Sequence, residues 1–356
     1  MVIWTPNSSA SAGRAKQPAN SRAVDEQAVV TGADAPPSRR IVVLAGGPGP
    51  EREVSLESGK MVAQALARLG HRVCVRDIFP DDLSALDEPA ELFFVALHGT
   101  FGEDGRLQEI MESRNLTYTG SDAKSSALAM DKAATKRCWL ANDVPTPEFR
   151  VVTRASLGDV EPGGAAGAKE RVGEIAEGLG LATPCVIKPV DSGSSVDTFI
   201  ARDRGEVCEP LRRVVGRYGS AMVERYVDGP ELTVGLLDGV ALPVCEIQTD
   251  RTFYDYVAKY QDDATRYLFE IDLPKQLLAS VQGMSVKAAS VLGVDQFARV
   301  DWMIERETML PFALEINTIP GFTSHSLLPK SARRVGLSYD WLCQRIVDSA
   351  LARAAR

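Results

Sequence analysis

The sequence predicts a mixed α/β protein in three units, of which the first is a small doubly wound parallel sheet. Three observations carry this reading. An apolar run, Ile41-Val42-Val43-Leu44-Ala45, ends in Gly46-Gly47, the pattern of a buried parallel strand entering a loop. Helical periodicity runs from Val54 to Leu69 and stops at Gly70, a glycine in the C′ position. Short strands at Val73–Val75 and Leu92–Leu97 then complete a βαβ alternation.

This first unit covers residues 40–120. Ahead of it, residues 1–39 are rich in Ala, Ser, Pro and Arg and lack the apolar centre of a signal peptide. They read as a disordered leader, or as an upstream start. The second unit covers residues 121–223. It contains a Gly/Ala-rich segment, Gly158 to Ala168, expected to be a surface loop. Strands are expected at Pro184–Lys188 and Val196–Ala201, joined by Asp191-Ser192-Gly193-Ser194-Ser195. A Ser/Gly hairpin of this kind is a candidate phosphate lid.

The third unit covers residues 224–356. Strands are expected at Leu232–Leu237 and Val240–Ile247, followed by a polar, aromatic loop from Thr249 to Arg266. A helix over Lys275–Leu292 precedes strands at Phe297–Glu305 and Phe312–Ile316, and helices from Ser326 close the chain.

Composition narrows the function. With 25% charged residues and a net charge of −8 but no long basic run, neither nucleic acid nor an anionic membrane suits as the main partner. No stretch approaches the ~20 apolar residues of a membrane span. The 6 cysteines are scattered without a CxxC pair, which reads as reduced thiols in a cytoplasmic protein. Only 3 histidines are present, too few to suggest a His-rich zinc site. Neither GxGxxG nor GxxxxGK[ST] occurs, which disfavours hydride transfer and P-loop chemistry.

The strongest constellation is late: Arg299-Val300-Asp301-Trp302, then Leu314-Glu315-Ile316-Asn317-Thr318-Ile319-Pro320-Gly321. Glu315 and Asn317 are two apart and share a strand face, and Asp301 on a neighbouring strand can join them. Two carboxylates and an amide oxygen suit Mg²⁺, although an exposed strand edge would show the same pattern. Lys132, Lys188 and Lys259 are candidate counter-charges for a triphosphate. Each alone resembles a solvated surface lysine, except Lys188, which ends an apolar strand and points towards a cleft. Glu224-Arg225-Tyr226-Val227, after a strand at Ala221–Val223, has the pattern of a hinge. Its backbone can face an adenine edge, with Glu231 available to ribose hydroxyls.

Several longer segments occur in order: Glu51-Arg52-Glu53-Val54-Ser55, Leu97-His98-Gly99-Thr100-Phe101-Gly102-Glu103-Asp104-Gly105, Tyr118-Thr119-Gly120-Ser121, Met130-Asp131-Lys132, Gly193-Ser194-Ser195-Val196, Phe253 to Tyr260, and Glu315 to Leu327. From about Arg40 onwards the chain resembles the D-alanine–D-alanine ligases of the ATP-grasp superfamily. The resemblance implies a three-domain ATP-grasp architecture and an ATP-dependent ligation through an acyl phosphate, serving peptidoglycan precursor synthesis. It also implies a cytoplasmic homodimer acting on small molecules.

The same resemblance assigns roles. Asp301, Glu315 and Asn317 would hold two Mg²⁺ ions, with Mn²⁺ able to substitute. Lys132 and Lys188 would contact the α- and β-phosphates of ATP and Lys259 the γ-phosphate. Glu224, Tyr226, Val227 and Glu231 would form the adenosine site. Glu51 would bind the ammonium of the first D-alanine with His98 nearby, and Ser194 and Tyr260 would link to Glu51. Arg299 and the Gly321 N–H would stabilise the tetrahedral oxyanion, while Ser326 and Leu327 would bind the second carboxylate. Tyr260 favours an amine as second nucleophile, because depsipeptide-forming members lack it. The close alternatives are D-serine or D-lactate as second substrate, or a non-catalytic ATP-binding homologue.

The leader is extra to the family pattern, Pro48-Gly49-Pro50 is an unusual version of its first loop, and two positions around the hairpin depart from it. Ser192 stands where an acidic residue is usual, and Asp197 where a glycine is usual. Asp197 is expected either to start the outgoing strand with its side chain in solvent or to face the phosphates. Deleting residues 1–38 is expected to leave melting temperature and activity unchanged; a substantial drop in either, measured side by side with the full chain, contradicts the leader reading.

Overall fold

Ile41 to Ala45 are buried on both faces of their strand, as their unbroken apolar run requires. In the computed structural model, which describes residues 36–157, 183–193, 196–249 and 265–355, this strand, β1 (Arg40–Ala45), is central in a parallel sheet. Its neighbours are β2 (Arg72–Asp77) and β3 (Leu92–Val95), in the order β2-β1-β3. Ile41 and Val43 face one core with Leu66 and Phe94, while Val42 and Leu44 face another with Phe93 and Met111. The two faces confirm the doubly wound arrangement.

Helix α1 (Arg52–Arg68) crosses between β1 and β2 and ends before Gly70, whose φ of +91° lies in the left-handed region. α1 lies so close to β1 that a Cβ on Gly59 would sit 2.4 Å from the Ala45 Cβ. Helix α2 (Arg106–Ser113) covers the opposite face with Leu107 and Met111.

Helices α3 (Ala123–Met130) and α4 (Lys132–Ala141) meet at Asp131. Its carboxylate accepts the N–H groups of Ala133 and Ala134 and caps α4. Ala129 and Trp139 pack with Leu232, Val300 and Trp302, while Ala133 packs with Val190 and Met222. α4 therefore touches two sheets. The first of these is four-stranded and antiparallel, ordered β4-β7-β5-β6. Its members are β4 (Phe149–Thr153), β5 (Cys185–Pro189), β6 (Phe199–Ala201) and β7 (Ser220–Arg225). A short helix, α5 (Arg154–Leu157), follows β4, and α6 (Cys208–Tyr218) packs Leu211, Val214 and Val215 onto the sheet.

The larger sheet is also antiparallel, ordered β11-β10-β8-β12-β13, with β9 paired to β8. It comprises β8 (Glu231–Leu237), β9 (Val240–Ala241), β10 (Cys245–Gln248), β11 (Arg266–Leu268), β12 (Phe297–Ile304) and β13 (Pro311–Asn317). Leu232, Val234, Ala298, Val300 and Trp302 alternate onto one face, against helix α7 (Lys275–Ser290). The opposite face carries Leu237 and Phe297 into the first core and, along its middle, the polar side chains of Thr233, Arg299 and Asp301. Helices α8 (Leu327–Arg334) and α9 (Tyr339–Ala354) close the chain, and α9 packs Leu342 and Ile346 into the same core as Ile41 and Phe94. Among the described residues, no helix is long and apolar enough to cross a membrane.

Local expectations fail in three places. The single strand expected over Val240–Ile247 is two short ones, because Pro243 offers no N–H to a ladder. The strand expected from Val196 begins at Phe199, after Asp197 turns the chain at φ +52°. Glu224 and Arg225, expected beyond their strand, lie inside it, with Glu224 opposite Val186. Residues 1–35 of the leader, the Gly158–Ala168 segment and most of the Thr249–Arg266 loop lie outside the described residues, whereas Ser38 and Arg39, expected in the leader, bond to Gly70 and Glu91.

The tight approach at Gly59 makes a prediction. Gly59→Val should destabilise the protein by about 1–3 kcal/mol through overpacking, read as a lower urea midpoint. An unchanged midpoint would show that α1 can lift from the sheet at no cost.

Candidate active site

The polar face of the large sheet is set by register. Thr233, Asp301 and Glu315 occupy directly paired positions on β8, β12 and β13, and Arg299 pairs with Asn317 in the adjacent row. Paired residues share a face in an antiparallel sheet, so all five side chains project together. Asp301 is 4% exposed and accepts from Thr233 Oγ1 at 2.6 Å, from Arg299 at 2.9 and 2.8 Å, and from Asn317 Nδ2 at 3.2 Å. Lys132 Nζ lies 3.6 Å from Glu315 Oε2.

Two carboxylates and an amide oxygen on neighbouring strands form an oxygen-only donor set that fits a hard divalent cation such as Mg²⁺. Among the described residues no group of three or more His, Cys, Asp or Glu could hold a metal.

Beside this face lies a cleft of about 530 Å³, lined by Lys132, Lys188, Glu224, Tyr226, Val227, Glu231, Asp301 and Glu315 among others. β5 carries Lys188 and β7 carries Glu224, and their side chains form an ion pair. The other oxygen of Glu224 lies 3.0 Å from Nζ of Lys136, a lysine with no exposed side-chain surface. Lys136 also donates to Thr146 Oγ1 at 2.5 Å and to the Ala313 carbonyl at 3.4 Å. Burial pulls its pKa down to about 8, against the pull of Glu224. For Glu224 burial works to raise the pKa, but Lys136 and Lys188 together hold it below the usual carboxylate range. Glu224 therefore forms the floor of the cleft with its charge already matched.

At the hinge the Tyr226 N–H donates to the Pro184 carbonyl at 3.2 Å. Val227 is 4% exposed and reaches the cleft at its edge.

A second cluster of buried polar side chains forms where the loops after β1 and β3 meet the segment after β13. The buried carboxylate of Glu51 lies against Gly99 and Gly193: a Cβ on those glycines would come within 2.5 and 3.5 Å of its Oε2. His98 is buried nearby, with Nδ1 3.0 Å from the Ile319 carbonyl and Nε2 3.1 Å from Ser58 Oγ. A carbonyl only accepts, so Nδ1 carries the proton and Nε2 accepts from Ser58. Burial lowers the His98 pKa, outweighing the charge of Glu51, and keeps the ring neutral. Ser58 Oγ in turn accepts the Phe322 N–H at 3.2 Å.

Glu103 completes this cluster. It accepts from the Gly99 N–H at 2.7 Å and the Ile319 N–H at 3.1 Å, and burial followed by the Glu51 charge pushes it up to about 8.

Gly321 lies against Ser326, whose Oγ would be 2.6 Å from a Cβ at that glycine. That Oγ also accepts the Thr323 N–H at 2.9 Å. Leu327 starts α8 and buries its side chain with Cys245 and Ile247. Ser194, Lys259 and Tyr260 lie outside the described residues.

Lys136, Glu103, Ser58 and Thr233 escaped the sequence reading. Lys136 follows Lys132 by one helical turn, a spacing that placed it on the same face. Glu103 stands among Gly99, Gly102 and Gly105, a density of glycine that marks closely approaching backbone. Ser58 and Thr233 carry no signal beyond their element.

A family model described as "D-ala D-ala ligase C-terminus" matches residues 139–348. A D-alanine–D-alanine ligase of Anaeromyxobacter dehalogenans is 39% identical over 317 residues, covering 89% of this chain and 98% of the relative. The crystal structure of a D-alanine–D-alanine ligase from Bacillus anthracis superposes with a TM-score of 0.77 at 31% identity, covering 89% of this chain and 99% of that one. The same ligase complexed with ATP gives 0.73 at 28% identity, with the same coverage. The sequence signatures, the sheet order and these likenesses agree, and the chain belongs to the D-alanine–D-alanine ligase family.

Proposed function

We propose that the protein joins two D-alanine molecules at the expense of ATP, through a D-alanyl phosphate, to supply a precursor of peptidoglycan. The observation that carries this reading is a lysine-lined cleft with Asp301 and Glu315 on its wall, in the same fold as a separate buried cluster in which Glu51 lies against Gly99 and Gly193 beside a neutral His98. The first suits a nucleotide triphosphate and the second an amino acid, and the Bacillus anthracis relative has been crystallised with ATP.

The chemistry starts from the poor electrophilicity of a carboxylate. Glu51 would hold the ammonium of the first D-alanine, and His98, locked by Ser58 and Ile319, would shape the site without adding charge. The substrate carboxylate attacks the γ-phosphorus of ATP, and ADP leaves. Lys132 and Lys188 would balance the phosphate charge and orient the chain. Mg²⁺ held by Asp301, Glu315 and Asn317 would neutralise the transferring phosphoryl group. The amine of the second D-alanine then attacks the acyl carbon, and Arg299 with the Gly321 N–H would stabilise the oxyanion before phosphate departs. Ser326 and the start of α8 would receive the second carboxylate. We place the enzyme in the cytoplasm, as a homodimer.

Phosphate release that requires both ATP and D-alanine, with a product of the mass of D-alanyl-D-alanine, is the expected result. Product dominated by D-serine or D-lactate adducts in a mixed assay would assign a different second substrate, and no D-alanine-dependent release would leave a non-catalytic homologue. Glu315→Gln should retain less than about a tenth of turnover, a loss above roughly 1.4 kcal/mol, with melting temperature preserved.

Glu103 adds a pH dependence. Its folded pKa of about 8 lies above the ordinary 4.5, so the folded protein holds a proton that the unfolded chain releases between those values. The contribution to stability is full below the unfolded pKa and is lost as pH rises through about 8. The stability of the wild type relative to Glu103→Gln should therefore fall between about pH 5 and about pH 8. A difference that stays flat across that range in urea titrations contradicts the assignment.

A further inference from the structure

The two departures from the family pattern, Ser192 and Asp197, meet at one side chain. Asp197 adopts φ +52°, the left-handed conformation that a glycine takes at no cost and that aspartate tolerates better than most residues. Its carboxylate is directed neither into solvent nor at the phosphates. It is 4% exposed and rests on α6, 2.9 Å from Arg213 and 2.8 Å from Arg217, and it accepts from the Tyr218 hydroxyl at 2.9 Å. The Ser192 side chain lies within reach of the same hydroxyl. Arg213 lies over the Phe199 ring and Arg217 over the Tyr218 ring, which fixes both guanidinium groups.

The geometry extends into the cleft. Ser192 and Thr198, next to Asp197, both line it. The backbone carbonyl of Ser192 accepts from Lys132 Nζ at 2.5 Å. A lysine assigned to phosphate is therefore hydrogen-bonded to a residue beside Tyr218, as well as facing Glu315.

We propose that Tyr218, with Asp197, Arg213 and Arg217, is a positioning unit that fixes Ser192 and Thr198 at the cleft wall and thereby sets nucleotide affinity. The serine and aspartate act as one compensated pair: the acid has moved to the far side of the loop, and α6 supplies the partners that hold it. Two guanidinium groups against one carboxylate leave no net negative charge to repel a triphosphate. The inference rests on the ATP-dependent reading above.

The test compares Asp197→Asn, Asp197→Gly, Tyr218→Phe and the Asp197→Gly/Tyr218→Phe double variant with the wild type. Asparagine keeps the left-handed backbone preference and loses the charge, and glycine keeps the backbone freedom and loses the side chain. Dissociation constants for Mg·ATP and Mg·ADP are measured by calorimetry without amino acid, alongside kcat, KM for D-alanine and melting temperature. Each single variant should weaken ATP binding by roughly three- to tenfold, with kcat within about twofold and KM for D-alanine unmoved. The double variant should be no weaker than the worse single, because one network is being cut. Unchanged ATP affinity in both Asp197→Asn and Tyr218→Phe, additive losses in the double variant, or a uniform decline of every parameter with melting temperature would overturn the proposal. Should Tyr218→Phe fail to fold, Arg217→Gln carries the same comparison. A wild type that binds no ATP would refute the ligase reading itself, whereas equal affinity in wild type and variants removes only the positioning unit.

Discussion

The carboxylate of Glu224, held between Lys136 and Lys188, is the interaction on which the nucleotide cleft depends. A buried charge is tolerated only when it is matched, and removing one partner of such a pair typically costs about 3–5 kcal/mol. Here the matching groups come from different elements: Glu224 from β7, Lys188 from β5 and Lys136 from α4. Lys136 also reaches Thr146 and the Ala313 carbonyl on β13. One ammonium group thus ties the four-stranded sheet to the six-stranded one directly beneath the cleft. The charge that orients phosphate is part of the packing that holds the two walls together.

The amino-acid site obeys a related constraint. The segment from Ile319 to Phe322 follows β13 without a ladder to hold it, and its polar groups are taken by the first unit. Glu103 receives the Ile319 N–H, His98 donates to its carbonyl, and Ser58 receives the Phe322 N–H. Gly321, the residue assigned to the oxyanion, is fixed from both sides by side chains that lie more than two hundred residues earlier in the chain. Of these side-chain contacts only the one from His98 Nδ1 to the Ile319 carbonyl needs a proton on the side chain, and burial keeps that ring neutral; Glu103 accepts both of its N–H groups.

Much of this was legible in the sequence, because the periodicities are local. An unbroken apolar run marked β1, short apolar runs marked β8 and β12, and the C′ glycine marked the end of α1. The spacing of Glu315 and Asn317 placed them on one face, and register added Asp301 and Arg299 to it. Strand ends were less legible where a single residue, Pro243 or Asp197, interrupted an otherwise regular pattern. The family signatures extended the reading to roles for these residues in a way that periodicity does not.

What the sequence by itself determined is the set of elements, the polar strand face and the family, since each depends on neighbours within a turn or a strand. Only the tertiary structure decided which lysine is buried, which carboxylate keeps its proton, and where Asp197 turns. Lys136 reads as a surface residue until β7 brings Glu224 to it, and Glu103 as an ordinary loop acid until Ile319 arrives from 216 positions away. The physical reason is that the cost of burying a charge is set by its partners, and those partners are distant along the chain and adjacent only in the fold.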